Sequence, residues 1–186
     1  MKKYLLSIMM AVVALSSCAD NKKQESGDRS QESTPATDIS TDSSLQTTDS
    51  SSDLAPDFTL NDLSGKSLTL SSLRGKYVIL DFWGSWCGWC IKGFPQMKEY
   101  YQKYAGKFEI LGIDCNDTED KWKAAVKKHD LPWLHVYCPK ESTLLEELGV
   151  NNFPTKIIID PEGKIVKSIV GEDPTFYTFL DKLFSK

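Results

Sequence analysis

Histidine is almost absent from this sequence, and its scarcity limits the metal chemistry open to the chain. Only His129 and His135 occur among 186 residues, and the chain has a single C-x-x-C pair, Cys87 and Cys90. A structural zinc site needs four ligands, and a second C-x-x-C pair is missing. Both histidines also stand at positions typical of packing, so we expect no metal site.

An excess of positive charge is missing as well. The net charge is -4, from 22 basic and 26 acidic residues. The acidic excess lies in residues 19–53, whereas residues 54–186 are close to neutral. Proteins that bind nucleic acid usually carry a basic patch or stripe, so we expect no nucleic-acid partner.

The apolar run at the start of the chain is too short to cross a bilayer. It extends from Tyr4 to Leu15, whereas a spanning helix needs roughly 20 residues. Two lysines precede this run, and its last residue, Leu15, begins the letters "LSSC", which end at Cys18. This pattern resembles a bacterial lipobox, in which the cysteine is lipidated and becomes the new N-terminus. We predict a lipoprotein signal peptide over 1–17 and lipidation at Cys18. An ordinary cleaved signal with a chance cysteine is the alternative.

Residues 18–53 have few apolar side chains and are rich in Ser, Thr and Asp. Such a segment cannot bury enough surface to offset the entropy of ordering. We interpret it as a disordered tether with a reach on the order of 30 Å, which would hold a catalytic domain away from a membrane. A spacer without function is the alternative. Export and lipidation together predict a location in the cell envelope, facing the periplasm.

Residues 54–186 alternate strand and helix patterns and form the predicted folded domain. A hairpin comes first, and a hairpin around the turn "DPEG" and a helix capped by Asp173 come last. Continuous apolar runs predict buried strands, and spacings of three and four predict helices between them. The predicted buried strands are 77–82, 108–114 and 134–137. One predicted helix begins near Cys87, and two more include Trp122–His129 and Leu144–Leu148. The last predicted helix ends the chain and faces the sheet with Phe176, Phe179, Leu180 and Leu183.

The C-x-x-C pair lies at a predicted strand-to-helix turn, a position typical of a redox site. A static disulfide or half of a zinc site are the alternatives. The segments "APDFTL", "LRGKYVILDFWGSWCGWC", "FEILGI" and "NNFPTKIIIDPEGKIV" resemble the thioredoxin superfamily, most closely the membrane-tethered TlpA/ResA-like thiol–disulfide oxidoreductases. The resemblance covers essentially all of 54–186. It implies an α/β, thioredoxin-like fold with an N-terminal β-hairpin and an α/β insertion between the second and third core strands.

The resemblance also implies roles for three residues. Cys87 would precede a helix, whose free N–H groups stabilise a thiolate and lower the pKa of the cysteine. It would attack a substrate disulfide, and Cys90 would resolve the mixed disulfide. Asp81 matches a buried acid of thioredoxins and would take the proton from Cys90. The alternative for Asp81 is an aspartate at a strand end, turned to solvent.

Five further residues are expected to bind substrate. Pro154 matches the cis-proline of the family, which would expose the backbone of Phe153 for β-type pairing; an ordinary trans-proline is the alternative. Trp86, Gly88 and Trp89 surround the cysteines in the sequence. Trp83 would line the same apolar surface, although tryptophans near a sheet are often part of the core.

The sequence departs from its relatives at two positions near the cysteines. Many relatives have proline where this chain has Trp89, and ResA-like proteins have glutamate where it has Gly93. The first departure leaves the reduction potential open. The second removes the usual active-site acid of ResA-like proteins, so we infer a thioredoxin-like proton route through Asp81.

The predicted function is therefore a membrane-anchored reductase of protein or peptide disulfides, without an organic cofactor. A membrane electron donor, which the sequence does not identify, would re-reduce it. The alternatives are a non-catalytic peptide-binding module, a thiol peroxidase or a copper-delivery protein. The pattern P-x-x-x-T/S-x-x-C of thiol peroxidases and the C-x-x-x-C spacing of the copper proteins are both missing.

Two cysteines remain, Cys115 and Cys138, each at the end of a predicted strand. In the related fold these strands run side by side, and neighbouring strands are close enough for a disulfide. Two packed free thiols are the alternative, and the side chains could also point to opposite faces of the sheet.

Overall fold

A computed structural model describes residues 53–185 of the chain, in which seven strands form one sheet flanked by four α-helices. The predicted signal peptide, Cys18 and most of the predicted tether lie outside the described residues. The strands are β1 (Thr59–Asp62), β2 (Ser67–Thr69), β3 (Tyr77–Trp83), β4 (Phe108–Cys115), β5 (Leu134–Cys138), β6 (Thr155–Ile159) and β7 (Ile165–Val170). The helices are α1 (Gly88–Lys103), α2 (Glu119–His129), α3 (Leu144–Glu147) and α4 (Thr175–Phe184).

Strand order in the sheet is β2-β1-β5-β4-β3-β6-β7. The three central strands β5, β4 and β3 are parallel, and β6, β7, β1 and β2 add to them in antiparallel pairs. The run "YVILDFW" is almost entirely apolar because β3 is covered on both faces. The carboxyl end of β3 leads directly to the C-x-x-C segment.

The sheet separates two apolar cores. Helices α1, α2 and α4 pack on one face, where Trp83, Phe94 and Trp122 are among the largest buried side chains. A short 3₁₀ turn and α3 cover the other face, over Phe82 and Ile113. Alternate residues of β3 therefore point to different cores, and Asp81 points to the core that contains α1.

The element order agrees with the sequence interpretation. The N-terminal hairpin is present, and α2, β5 and α3 form the predicted insertion between core strands β4 and β6. Each of the three predicted buried strands is one residue longer than expected, ending at Trp83, Cys115 and Cys138. The reason is that the parallel ladder continues in register to these residues.

The buried face of α4 differs in part from the predicted one. Asp173 accepts a hydrogen bond from the Thr175 N–H at 2.8 Å, so the predicted cap is present. Tyr177 is buried beside Phe176 and Leu180. The predicted members Phe179 and Leu183 are only half-buried, because Tyr177 takes a place against α1, where its ring contacts Tyr100.

Candidate active site

The two cysteines of the C-x-x-C pair form a disulfide at the start of α1, with their Cα atoms 5.3 Å apart. Cys87 is the N-cap residue, and its Sγ accepts a hydrogen bond from the Cys90 N–H at 3.2 Å. In a reduced pair the same N–H and the helix dipole would stabilise a Cys87 thiolate. In this oxidised state both cysteines are buried, at 5% exposure for Cys87 and 2% for Cys90.

Tryptophan side chains, rather than the sulfur atoms, dominate the exposed surface around the disulfide. Trp86 is 51% exposed and Trp89 is 66% exposed, and Gly88 between them is exposed as well. The Lys92 ammonium lies over the Trp89 ring at 4.4 Å, a cation–π contact. Trp83 does not belong to this surface, because it is completely buried in the core.

Phe153 and Pro154 meet this surface from the other side. The Phe153–Pro154 peptide bond is cis, and the Phe153 ring packs edge-on against Trp86 with centroids 5.2 Å apart. Trp86 and Phe153 are far apart in the sequence. The fold brings them together in one apolar surface beside the disulfide.

The loop before Cys87 is held by the segment that follows β4. The Ser85 N–H donates to Asp117 at 2.7 Å, and the Trp86 indole N–H donates to the Cys115 carbonyl oxygen at 3.0 Å. A Cβ added at Gly84 would overlap the Trp86 indole and lie 2.9 Å from that same carbonyl oxygen. Sequence reasoning missed Gly84 and Asp117, since only the fold shows this close approach.

Asp81 lies in the core and not at the surface. It is 2% exposed, and within residues 53–185 its Oδ1 has no hydrogen-bond partner. Burial raises the pKa of Asp81 to about 6, an effect that the nearby Lys156 ammonium opposes and the Glu172 carboxylate reinforces. A carboxyl group with this pKa can accept a proton near neutral pH. The sequence interpretation named Asp81 but neither Lys156 nor Glu172.

A second buried carboxyl group, Asp114, lies at the end of β4 behind the active-site loop. Burial raises its pKa to about 8, and the negative charge of Asp117 adds to the effect. Asp114 was not predicted as a site residue, because the sequence analysis treated it only as the last residue of a buried strand.

The two histidines have packing roles. Burial lowers the pKa of His135 to about 4, so it is neutral at pH 7. His129 packs against the Phe94 ring at 5.6 Å. Across the part of the chain that the structure describes, His, Cys, Asp and Glu side chains form no group of three or more suited to a metal ion.

Cys115 and Cys138 are directly opposite each other in the parallel pair β4–β5, and both belong to the same core. The sequence had left open whether the two side chains share a face of the sheet, and they do. The structure has both as buried free thiols rather than as a disulfide. Cys115 Sγ donates to the Ile113 carbonyl oxygen at 3.5 Å and Cys138 Sγ donates to the Pro139 carbonyl oxygen at 3.8 Å. The proximity of the two thiols lowers the pKa of Cys138 and raises that of Cys115.

We therefore expect Cys115 and Cys138 to be alkylated only after unfolding. Native protein should react slowly with iodoacetamide at both positions, because both sulfur atoms are shielded from solvent. Unreduced protein denatured in the same reagent should carry one carbamidomethyl group on each, with the Cys87–Cys90 bridge intact. Peptide mapping by mass spectrometry measures this, and a peptide cross-linked through Cys115 and Cys138 would contradict it.

Comparisons with known proteins agree with this site. The model of the AhpC/TSA family matches residues 52–168. The chain belongs to the AhpC/TSA family. Thiol-disulfide oxidoreductase ResA of Bacillus cereus is 42% identical over 119 residues, which cover 63% of this chain and 68% of the relative. ResA of Bacillus subtilis is 35% identical over 118 residues, covering 63% of this chain and 65% of that relative.

Solved structures show the same fold. The crystal structure of the thioredoxin domain of a thiol-disulfide oxidoreductase from Bacteroides vulgatus superimposes with a TM-score of 0.65 at 34% identity, covering 70% of this chain and 95% of that chain. A structure described as the thiol:disulfide interchange protein DsbE from Chlorobium tepidum gives 0.64 at 32% identity, covering 70% and 92%. The predicted thioredoxin-like fold is confirmed.

The predicted class of enzyme is confirmed as well. This AhpC/TSA family member is a thiol–disulfide oxidoreductase, like the relatives whose sequence and fold it shares. These relatives bear names of oxidoreductases and interchange proteins, which agrees with the missing thiol peroxidase pattern. Within residues 53–185, no helix combines the length and the apolar character required to cross a bilayer.

Proposed function

We propose that the chain reduces disulfides of proteins or peptides through a Cys87/Cys90 dithiol–disulfide cycle. The observation that carries the proposal is the disulfide at the N-terminus of α1, set among exposed aromatic side chains. Helix N–H groups favour a thiolate at Cys87, the N-cap residue of α1. They favour it less at Cys90, because Cys90 lies within the first turn and is more buried.

The cycle has two exchanges. The Cys87 thiolate attacks one sulfur of the substrate disulfide, and the other substrate sulfur leaves as a thiolate and takes up a proton. Cys90 then loses its proton and attacks Cys87 Sγ, which releases the second substrate thiol. The substrate gains two electrons and two protons, and the enzyme is left with its disulfide. An external dithiol must then re-reduce it, and a membrane electron donor is the proposed source.

Asp81 is the proposed acceptor of the Cys90 proton. Its side chain points into the core that contains Cys90, and its raised pKa makes it a better base than an exposed aspartate. Transfer through a water molecule is compatible with this arrangement.

Trp86, Gly88, Trp89, Phe153 and Pro154 form the proposed substrate surface. An extended substrate strand would lie along the Phe153–Pro154 backbone, and the two exposed tryptophans would pack on apolar side chains of the substrate.

We expect Trp86→Ala to raise KM for a peptide disulfide by about tenfold, since the loss of one interfacial tryptophan typically costs more than 1 kcal/mol of binding. Its kcat should change little, and Trp86→Phe should retain most of the binding. Steady-state kinetics with a disulfide-bonded peptide measure both constants. A lower kcat at unchanged KM would point to a role in chemistry instead of binding.

The proposed location is the periplasmic side of a membrane, with Cys18 as the lipidated residue. The predicted signal peptide (1–17), the tether (18–53) and the domain (54–186) support this arrangement through their composition alone. Lipid chains on Cys18 would anchor the protein, since each buried CH₂ contributes roughly 0.8 kcal/mol. Cell fractionation of a Cys18→Ser variant tests it, and a variant that stays with the membrane would contradict it.

Insulin reduction in the presence of dithiothreitol tests the activity, and equilibration with glutathione buffers tests its direction. A reductase needs a reduction potential below that of its substrates. Tight peptide binding without insulin reduction would favour the alternative of a binding module, and a potential well above that of typical structural disulfides would indicate an oxidase.

A further inference from the structure

A buried lysine lies opposite Asp81 in the sheet. Lys156 of β6 pairs in register with Asp81 of β3, and only 2% of its side chain is exposed. Its ammonium group is 3.8 Å from Asp81 Oδ1 but 2.6 Å from Glu172 Oε1. The lysine therefore makes its hydrogen bond to Glu172 and not to the predicted base. Buried lysines are rare unless they are paired. Glu172 is the closer partner here, and the longer contact to Asp81 is still within ion-pair distance.

Glu172 reaches this position because α1 has no side chain in the way. Gly93 lies three residues after Cys90, so the two residues share a face of the helix. A Cβ added at Gly93 would overlap the Glu172 carboxyl group. Gly93 is thus the gap in α1 that accepts Glu172 within one helical turn of the resolving cysteine.

Glu172 also links the buried pair to solvent. Asp81 and Lys156 are almost inaccessible, whereas the Glu172 side chain is 17% exposed. It lines a surface cleft together with Trp89, Gln96 and Tyr177. Glu172 is therefore the most exposed member of this group of three charged side chains and connects it to the cleft.

We infer that Glu172 is a positioning residue for the resolution step: it keeps the Lys156 ammonium beyond hydrogen-bond distance of Asp81 and so preserves Asp81 as the base for Cys90. This inference rests on the proposed function, in which Asp81 receives that proton. If Lys156 made its hydrogen bond to Asp81, the shorter ion pair would stabilise the carboxylate further and weaken it as a base.

The other titratable groups around Asp81 come from several elements. Lys156 comes from β6, Glu172 from the segment before α4 and Tyr177 from α4. By strand register, Asp114 of β4 and His135 of β5 lie on the same face of the sheet as Asp81, whereas Cys115 of β4 lies on the opposite face. Burial and the two carboxylates raise the pKa of Tyr177, so this phenol stays neutral. Lys156 and Glu172 are therefore the charges whose removal should move the titration of Asp81, and they act in opposite directions.

The experiment compares Glu172→Gln, Lys156→Met and the control Glu99→Gln, which removes an exposed carboxylate from α1. Carbon-13 NMR of the carboxyl groups against pH reports the midpoint of Asp81 in the oxidised protein, with the signal assigned by its loss in Asp81→Asn. Stopped-flow measurement of mixed-disulfide resolution against pH reports the catalytic consequence. Glu172→Gln should shift both midpoints to lower pH by about one unit, Lys156→Met should shift them upward, and Glu99→Gln should leave them unchanged.

The outcomes separate this inference from the proposed function. An Asp81 midpoint that does not move in Glu172→Gln overturns the inference, whether or not the enzyme reduces insulin, and this variant alone decides it if Lys156→Met fails to fold. Shifted NMR midpoints with an unshifted resolution profile overturn the positioning role but leave disulfide reduction intact. A wild-type protein that does not reduce insulin overturns the proposed function. The role of Glu172 in the resolution step is then overturned as well.

Discussion

Cys87→Ser should reduce disulfide turnover to the uncatalysed background, whereas Cys90→Ser should stop the enzyme as a mixed disulfide with its substrate. Serine cannot form the covalent intermediate at position 87, so the first exchange is lost. At position 90 the first exchange still occurs, but no thiol remains to displace the substrate. The two variants therefore fail at different steps, although the cysteines are only three residues apart.

Mass spectrometry of each variant after incubation with a disulfide substrate measures this difference. Cys90→Ser should carry a substrate adduct on Cys87 that dithiothreitol removes, and Cys87→Ser should carry none. In the reduced wild type, alkylation near pH 6 should modify Cys87 much faster than Cys90, because the helix N-terminus favours its thiolate. Equal alkylation rates, or an adduct on Cys90, would reverse the proposed roles.

Asp81→Asn should slow resolution of the mixed disulfide by about 10²-fold or more while the first attack stays nearly unchanged, because general bases typically contribute 10²–10⁴-fold. In the wild type, resolution should slow as the pH falls through about 6, where Asp81 becomes protonated. The variant should lose this acidic limb. Single-turnover kinetics from pH 5 to 8 measure both effects, and a resolution rate unaffected by the substitution would make Asp81 purely structural.

The same substitution should stabilise the oxidised protein at neutral pH. The pKa of Asp81 is raised in the folded state, from 3.8 to about 6, so the folded state holds the proton more tightly than the unfolded state. The contribution of Asp81 to the free energy of unfolding is therefore fully present below about pH 4 and is lost as the pH rises to about 6. Asparagine avoids burying a charge, so the free energy of unfolding at pH 7 should rise by up to about 3 kcal/mol. Urea titrations at pH 4 and pH 7 test this, and an equal effect at both would contradict it.

Local sequence patterns were sufficient for the order of elements and for the position of the disulfide. Apolar runs predicted the three central strands because a strand covered on both faces has no polar side to interrupt it. The C-x-x-C pair marked its own strand-to-helix turn, since both cysteines and their neighbours are contiguous in the chain. The burial of Asp81 could be predicted for a similar reason, because Asp81 lies inside one of those apolar runs.

The face of α4 was harder to predict. Its sequence has apolar residues on more than one side, and Tyr177 displaced Phe179 from the most buried position. Periodicity alone does not say which of two apolar stripes meets the sheet, because the contact with Tyr100 of α1 contributes to that choice.

The sequence by itself determined the position of the redox cysteine pair Cys87 and Cys90 and the strand that carries Asp81. Export stays a prediction. Only the tertiary structure decided what surrounds them. Lys156 and Glu172 approach Asp81 from β6 and from the segment before α4, far along the chain, and Glu172 fits because Gly93 leaves room. Such contacts depend on strand register and on the packing of one helix against its neighbours, and pairwise distances of this kind leave no periodic signal in a single sequence.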